Sequence, residues 1–215
     1  KGIVDADQVN AVFVLTTLLA AVGWTWVCTH FGLPISVSHA LVGGLIGTAI
    51  AKASGLSLLH MDGVVKISAF IVVAPVLGGV LGYFFMVAVL WIFRRARPRN
   101  VDGWFRKMQL VSAAFYSLGH GTNDAQKTMG IITMLLFSTG YLEKWFGYGE
   151  FHVPWSVAVA SAVAISLGTA AGGWRVIETL GMRMTKLRPV HGFCAETAAA
   201  SSILISTLGG IPVST

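Results

Sequence analysis

Apolar residues fill seven stretches of the chain, 11–31, 39–51, 64–93, 108–119, 125–142, 153–173 and 192–211, with few or no charges inside them. A membrane-spanning helix needs about 20 such residues. Stretches of 12 to 14 residues are too short alone, so they predict broken or re-entrant helices. Residues 108–140 read as one span interrupted at "GHGTND", where Gly119 and Gly121 loosen the helix and Thr122 or Asn123 caps a restarted one. Pro75 predicts a kink in the slightly long run 64–93.

Composition strengthens the membrane reading. The 215 residues are 55% hydrophobic and 11% charged, against about 25% charged in a soluble domain. The formal net charge of +6 is no nucleic-acid footprint, because the basic residues cluster between apolar runs. Arg94, Arg95, Arg97, Arg99, Arg106 and Lys107 crowd residues 94–107, and Arg175, Arg183, Lys186 and Arg188 crowd 174–189. The positive-inside bias puts both segments on the cytoplasmic face of the cell membrane. Residues 52–63 and 141–154 then fall outside. Cys28 and Cys194 lie within apolar runs at no metal or disulfide spacing and read as buried thiols.

An internal repeat appears on this topology. "GLPIS" (32–36) and "GIPVS" (210–214) share Gly, aliphatic, Pro, aliphatic, Ser, at an offset of 178 residues. Each follows an apolar run, and the two are approached from opposite faces, which is the signature of an inverted repeat. The expected organisation is residues 1–93 as the end of a first repeat with its tip at 32–39, a basic cytoplasmic loop at 94–107, and a second repeat at 108–215 that stops within its own tip.

Three polar groups stand out against this background. "GLPISVSH" breaks one helix and starts another with Ser36, Ser38 and His39. The first amides of a helix lack intrahelical partners and carry the positive end of its dipole, so they favour an anion. The bland alternative is a loop whose Ser36 or Ser38 caps the helix. In "GHGTNDAQK", Asp124 is a carboxylate near mid-membrane, where an ionised Asp costs about 2.5–3.5 kcal/mol. It binds a cation, takes a proton, or pairs with Lys127 three residues on. Glu196 is the only carboxylate of its run and is a candidate for a cation or a proton, with a structural contact as the alternative. His120 and Asp124 also share helical spacing, as in metal or acid–base pairs, but nothing nearby in the sequence completes such a site.

"GHGTNDAQKTMGII" (119–132) resembles the signature of the inorganic phosphate transporter (PiT) family, whose two halves each carry a Gly-x-Asn-Asp motif. "GLPISVSHALVGGLIG" (32–47) resembles the family's first Pro-Val-Ser-Thr-Thr-His segment, and "GFCAETAAASSILISTLGGIPVST" (192–215) is similar to the run into the second. The resemblance covers most of residues 11–215. It implies an all-α integral membrane protein, an inverted-repeat secondary transporter with broken helices and re-entrant helical hairpins. It also implies cation-coupled symport of inorganic phosphate, with a sodium ion or a proton as coupling ion and no cofactor. Carried over, Ser36, Val37, Ser38, Ser214, Thr215, Asn123 and Gln126 would bind phosphate. Asn123, Asp124 and Glu196 would hold the coupling cation or proton. The lipid bilayer and phosphate are the expected partners, and a homodimer is left open.

Val37 stands where the family has Thr, so only its backbone amide could contribute. The first half's own Gly-x-Asn-Asp motif is not in this sequence, and the chain stops at Thr215, so it reads as a fragment with both ends missing. Three alternatives stay in view: a sulfate permease of the same fold, a membrane enzyme using His120 and Asp124, and a channel with re-entrant filter loops. Phosphate at neutral pH keeps a proton that a carboxylate can accept, whereas sulfate has none to offer.

Overall fold

The structure is a computed structural model that describes residues 3–5, 8–184 and 187–208. The described elements are helical throughout, apart from one isolated bridge between Val4 and Leu59. In chain order they are α1 (Ala11–Phe31), α2 (Val37–Ala53), α3 (Met61–Ile92), α4 (Pro98–Ser138), α5 (Tyr141–Phe146), α6 (Trp155–Ala171) and α7 (Trp174–Glu178). A π-helical segment (Thr179–Met184) and α8 (Pro189–Leu208) follow. By length and composition α1 and α3 are each able to cross a membrane. So is α6 taken together with residues 174–182, from which it is bent by 60°. The most apolar stretch of α3 has no buried residues, an exposed apolar surface that suits lipid rather than water. The chain is therefore a helical membrane protein.

Two compact units divide the chain. One combines Lys1–Lys66 with Thr122–Thr179, the other Ile67–Gly121 with Leu180–Thr215. In the first, α1 and α2 form a tightly packed hairpin. Asn10 caps α1 by accepting from the Phe13 amide at 2.9 Å. Gly32 ends it in the left-handed region, φ 69°, and the amide of Leu33 returns to the Cys28 carbonyl, a glycine-based stop that a side chain would strain. Arg175 Nη1 donates to the His30 carbonyl at 2.6 Å and serves the same helix end. Gly44 allows the two backbones to meet: a Cβ there would lie 2.7 Å from the Thr17 carbonyl oxygen. The Thr17 and Thr48 hydroxyls hydrogen-bond across the same seam at 3.2 Å. Val9, Phe13, Val14 and Ala49 form the core, with Ile131, Met134 and Leu135 of α4 packed on it.

In the second unit Val89, Phe105, Val190 and Cys194 are buried together. Phe105 meets Phe93 and Phe193 edge-on, with centroids 5.3 and 5.2 Å away. Gly192 on α8 lets the Gln109 side chain of α4 come so close that a Cβ would overlap it. Cys28 and Cys194 are both free and buried.

Two sequence expectations are corrected here. The helix does not break at residues 119–124, because α4 runs unbroken for 41 residues. Neither Gly119 nor Gly121 takes the positive φ that a glycine permits. A helical glycine costs about 1 kcal/mol relative to Ala, too little to stop a helix with long flanks on both sides. The basic segment 94–107 is also only partly a loop. Helix α4 starts at Pro98, a residue preorganised for a first helical position, so Arg99, Arg106 and Lys107 lie on helix.

Candidate functional site

The first turn of α2 is built as a helix start. Ser36 is the N-cap, and its side-chain oxygen accepts from the His39 amide at 3.4 Å. The Ala40 amide makes the first intrahelical bond, to the Ser36 carbonyl, at 3.0 Å. The amides of Val37 and Ser38 precede that bond and sit at the positive end of the dipole. Ser36 thus does what the bland alternative expected of it, while Ser38 does something else.

Ser38 is buried at 8% exposure and joins the α2 start to the middle of α4. Its hydroxyl donates to Asp124 Oδ1 at 3.3 Å, across 86 residues of sequence. Lys127 Nζ donates to the same Ser38 oxygen at 2.8 Å and lies 3.3 Å from Asp124 Oδ1. The three side chains close a triangle of hydroxyl, carboxylate and ammonium. Asp124 and Lys127 are one turn apart on α4 and share a face, and both are partly shielded, at 22% and 34% side-chain exposure. A carboxylate this close to an ammonium avoids most of the cost of an isolated charge in a membrane.

The remaining sequence candidates fall in different places. Asn123 is half-buried beside Asp124. Gln126 is exposed and, about 200° around the helix from Asp124, it is not brought to Ser38. The side chain of Val37 is 53% exposed, which leaves its amide as its polar group. Ser214, Thr215 and the rest of the second tip lie outside the described residues. His120 stacks on Tyr116, with centroids 5.5 Å apart. Among the described residues no group of three or more His, Cys, Asp or Glu could hold a metal ion.

Glu196 belongs to the other unit, where its carboxylate lies 2.5 Å from the Ser112 hydroxyl. Ser112, which is 7% exposed, is also 3.0 Å from the Gln109 carbonyl one turn back. Nothing in the sequence singled out Ser112, an ordinary serine in an apolar run, and its importance to Glu196 emerges only in three dimensions. Lys127 was legible as a partner for Asp124 through its spacing, but not as a donor to Ser38.

The fold and the site thus define a helical membrane protein with opposite charges and a helix start gathered around one buried serine. The comparisons give that class a family. The description "Phosphate transporter family" matches residues 1–215, and the chain belongs to this family. It is 48% identical over 214 residues to a Rhizobium meliloti protein named "Probable low-affinity inorganic phosphate transporter", and covers 62% of that protein. It is 39% identical over 217 residues to a Bacillus subtilis protein of the same name, and covers 63% of it. In both cases the whole of this chain is aligned. The chain therefore spans a little over three-fifths of the length of these relatives. A solved structure titled "The sodium-dependent phosphate transporter" superposes with a TM-score of 0.78 at 21% identity, covering all of this chain and 70% of that one. It supports the fold. Because the family is one of transporters, the enzyme reading built on His120 and Asp124 falls away.

Proposed function

We propose that this chain is part of a cation-coupled symporter of inorganic phosphate in the cell membrane, and that the anion binds where the start of α2 meets Asp124 and Lys127. One observation carries the reading: Ser38 in the first turn of α2 bridges Asp124 and Lys127 of the Asn-Asp-Ala-Gln-Lys motif. That contact gathers four kinds of group a tetrahedral oxyanion uses. The amides of Val37 and Ser38 supply donors at a positive helix end. The Ser36 hydroxyl adds another, and the Ser38 hydrogen, donated to Asp124 in this structure, can turn to the anion. The Lys127 ammonium supplies a compact positive charge. The Asp124 carboxylate can accept a hydrogen bond from the O–H that phosphate retains at neutral pH, which favours phosphate over fully deprotonated sulfate.

The coupling ion would be drawn to carboxylates, and Asn123, Asp124 and Glu196 are the groups offered for it. Glu196 is held by the Ser112 hydroxyl, which lies within reach of both the Glu196 carboxylate and the Gln109 carbonyl. The two Gly-aliphatic-Pro-aliphatic-Ser tips belong, in this reading, to an inverted repeat, with the basic stretch 94–107 cytoplasmic.

The test is uptake of radiolabelled phosphate into proteoliposomes containing the full-length protein that carries this chain. The expected result is saturable uptake driven by a cation gradient, weak competition by sulfate, and loss of uptake in Asp124→Asn with membrane insertion intact. Uptake by Asp124→Asn within about twofold of wild type would remove the carboxylate from the mechanism. Sulfate competing as well as phosphate would reassign the substrate.

A further inference from the structure

We infer that Lys127 is a tethered counter-cation that fills the cation position at Asp124, so that this site is charge-complete without sodium and, of the carboxylates offered to the coupling ion, Glu196 is the one left to take it. The inference rests on the phosphate reading above and adds the identity of the cation. Hard cations such as sodium are held by oxygen atoms, chiefly carboxylates, hydroxyls and carbonyls. Two oxygens that this site brings together are Asp124 Oδ1 and Ser38 Oγ, and the Lys127 ammonium already lies 3.3 and 2.8 Å from them. An ammonium delivers the same unit charge as a sodium ion through three directed N–H bonds. Held on α4 one turn from Asp124, it needs no capture from solution and loses no translational freedom when the anion arrives.

The arrangement is specific to the residue at position 127. Lysine is the only strong cation within one turn of Asp124 on α4. A shorter neutral side chain there, such as asparagine, would leave the carboxylate and the Ser38 hydroxyl facing an unfilled position of the size and chemistry an alkali ion takes. The lysine therefore sets ion specificity: with it the site presents a fixed positive charge to phosphate, and without it the site has to recruit one. The solved structure whose title names sodium dependence is only 21% identical to this chain, so its cation requirement need not extend to this site.

Phosphate uptake by the full-length protein is measured in proteoliposomes with sodium or with choline as the external cation, for wild type, Lys127→Asn and Lys127→Arg. For Lys127→Asn the ratio of uptake in sodium to uptake in choline rises at least about tenfold above the wild-type ratio, because the ion replaces the lost ammonium. Lys127→Arg keeps the wild-type ratio. Equal ratios for wild type and Lys127→Asn would overturn the inference, as would a rise in Lys127→Arg matching that of Lys127→Asn. If Lys127→Asn transports in neither medium, its purified form decides. A sodium-dependent rise in thermal stability that vanishes in the Asp124→Asn, Lys127→Asn double variant supports a sodium site at the vacated position, and no rise overturns it. Wild-type protein that takes up no phosphate in any medium would refute the phosphate reading itself, a different outcome from transport that ignores position 127.

Discussion

Replacing Ser38 by alanine separates a ligand from a strut. The Ser38 hydroxyl is 8% exposed, and it holds Asp124 at 3.3 Å and Lys127 at 2.8 Å. If it only braces α2 against α4, its loss removes two interhelical hydrogen bonds. Such bonds average about 0.6 kcal/mol between membrane helices, so the loss of stability is roughly 1.2 kcal/mol. Asp124 and Lys127 still hold each other at 3.3 Å after the change, which keeps the cost near that average. If Ser38 also binds the anion, its single hydrogen turns from Asp124 to the phosphate, and alanine loses that hydrogen bond to a charged partner, worth about 1.5–3 kcal/mol, or roughly a ten- to hundredfold loss of phosphate affinity. Titration calorimetry with phosphate and thermal unfolding of the purified full-length protein measure the two effects separately. Ser38→Ala is expected to lose at least about tenfold in affinity with only a small drop in unfolding free energy, and Ser38→Thr to recover most of the affinity because it keeps the hydroxyl. A large stability loss with affinity within about threefold of wild type would refute the ligand role and leave Ser38 a strut.

Other changes test the packing and the orientation. Gly43→Ala and Gly44→Ala should differ in sign: both gain about 1 kcal/mol of helix propensity, but only at Gly44 would the new methyl meet the Thr17 carbonyl, 2.7 Å away, whereas nothing lies within 4 Å at Gly43. Overpacking of about 1–3 kcal/mol should make Gly44→Ala the less stable protein by thermal unfolding, and equal stabilities would mean the hairpin relaxes freely. Thr133→Val should raise stability by about 1 kcal/mol, because the Thr133 hydroxyl is fully buried without a hydrogen-bond partner; a loss of stability would point to a partner reached through motion. A cysteine at the exposed position Asn100 should resist an impermeant thiol reagent applied to intact cells, and ready labelling from outside would invert the topology.

Helix positions were legible to the extent that lipid dictates them. The apolar run at 11–31 is α1 residue for residue, and the runs at 64–93 and 153–173 lie within three residues of α3 and α6 at either end. Composition suffices there because every backbone group of a span must bond internally, which leaves helix as the only solution. Events decided by one residue's backbone were harder to read. The 60° bend after α6 falls at Gly172 and Gly173, where Gly173 adopts φ 86°, while Gly119 and Gly121 stay helical although they looked the better breakers. A glycine permits a turn without requiring one, so its neighbours decide. At Gly32 the decision is visible, since Arg175 and Thr179 crowd the site and any Cβ would come within about 3.3 Å of them. The chemistry of the site was half legible. Spacing exposed the Asp124–Lys127 pair, because three residues on a helix are neighbours in space. No local pattern could place Ser38 against them, or Ser112 against Glu196, because those contacts close loops of more than eighty residues.

The unbroken course of α4 changes where the positive potential of the site comes from. A helix interrupted at residues 119–124 would have exposed a second set of unpaired amides beside Asp124, and two helix starts could then have shared the anion. A continuous helix keeps its amides bonded to its own carbonyls through this stretch, so among the described residues the unbonded backbone donors at this site come from the start of α2. What α4 contributes is carried by side chains: a carboxylate, and an ammonium one turn further on. That division accounts for a lysine within an apolar run. With no helix start at residues 119–124 to supply positive charge, a charged side chain of α4 supplies it, and a lysine one turn from a carboxylate can be held in a membrane because each offsets the desolvation of the other. A polar stretch inside an apolar span is thus compatible with an unbroken helix: the polarity sits on side chains that neutralise one another, and the peptide groups beneath them remain hydrogen-bonded within the helix.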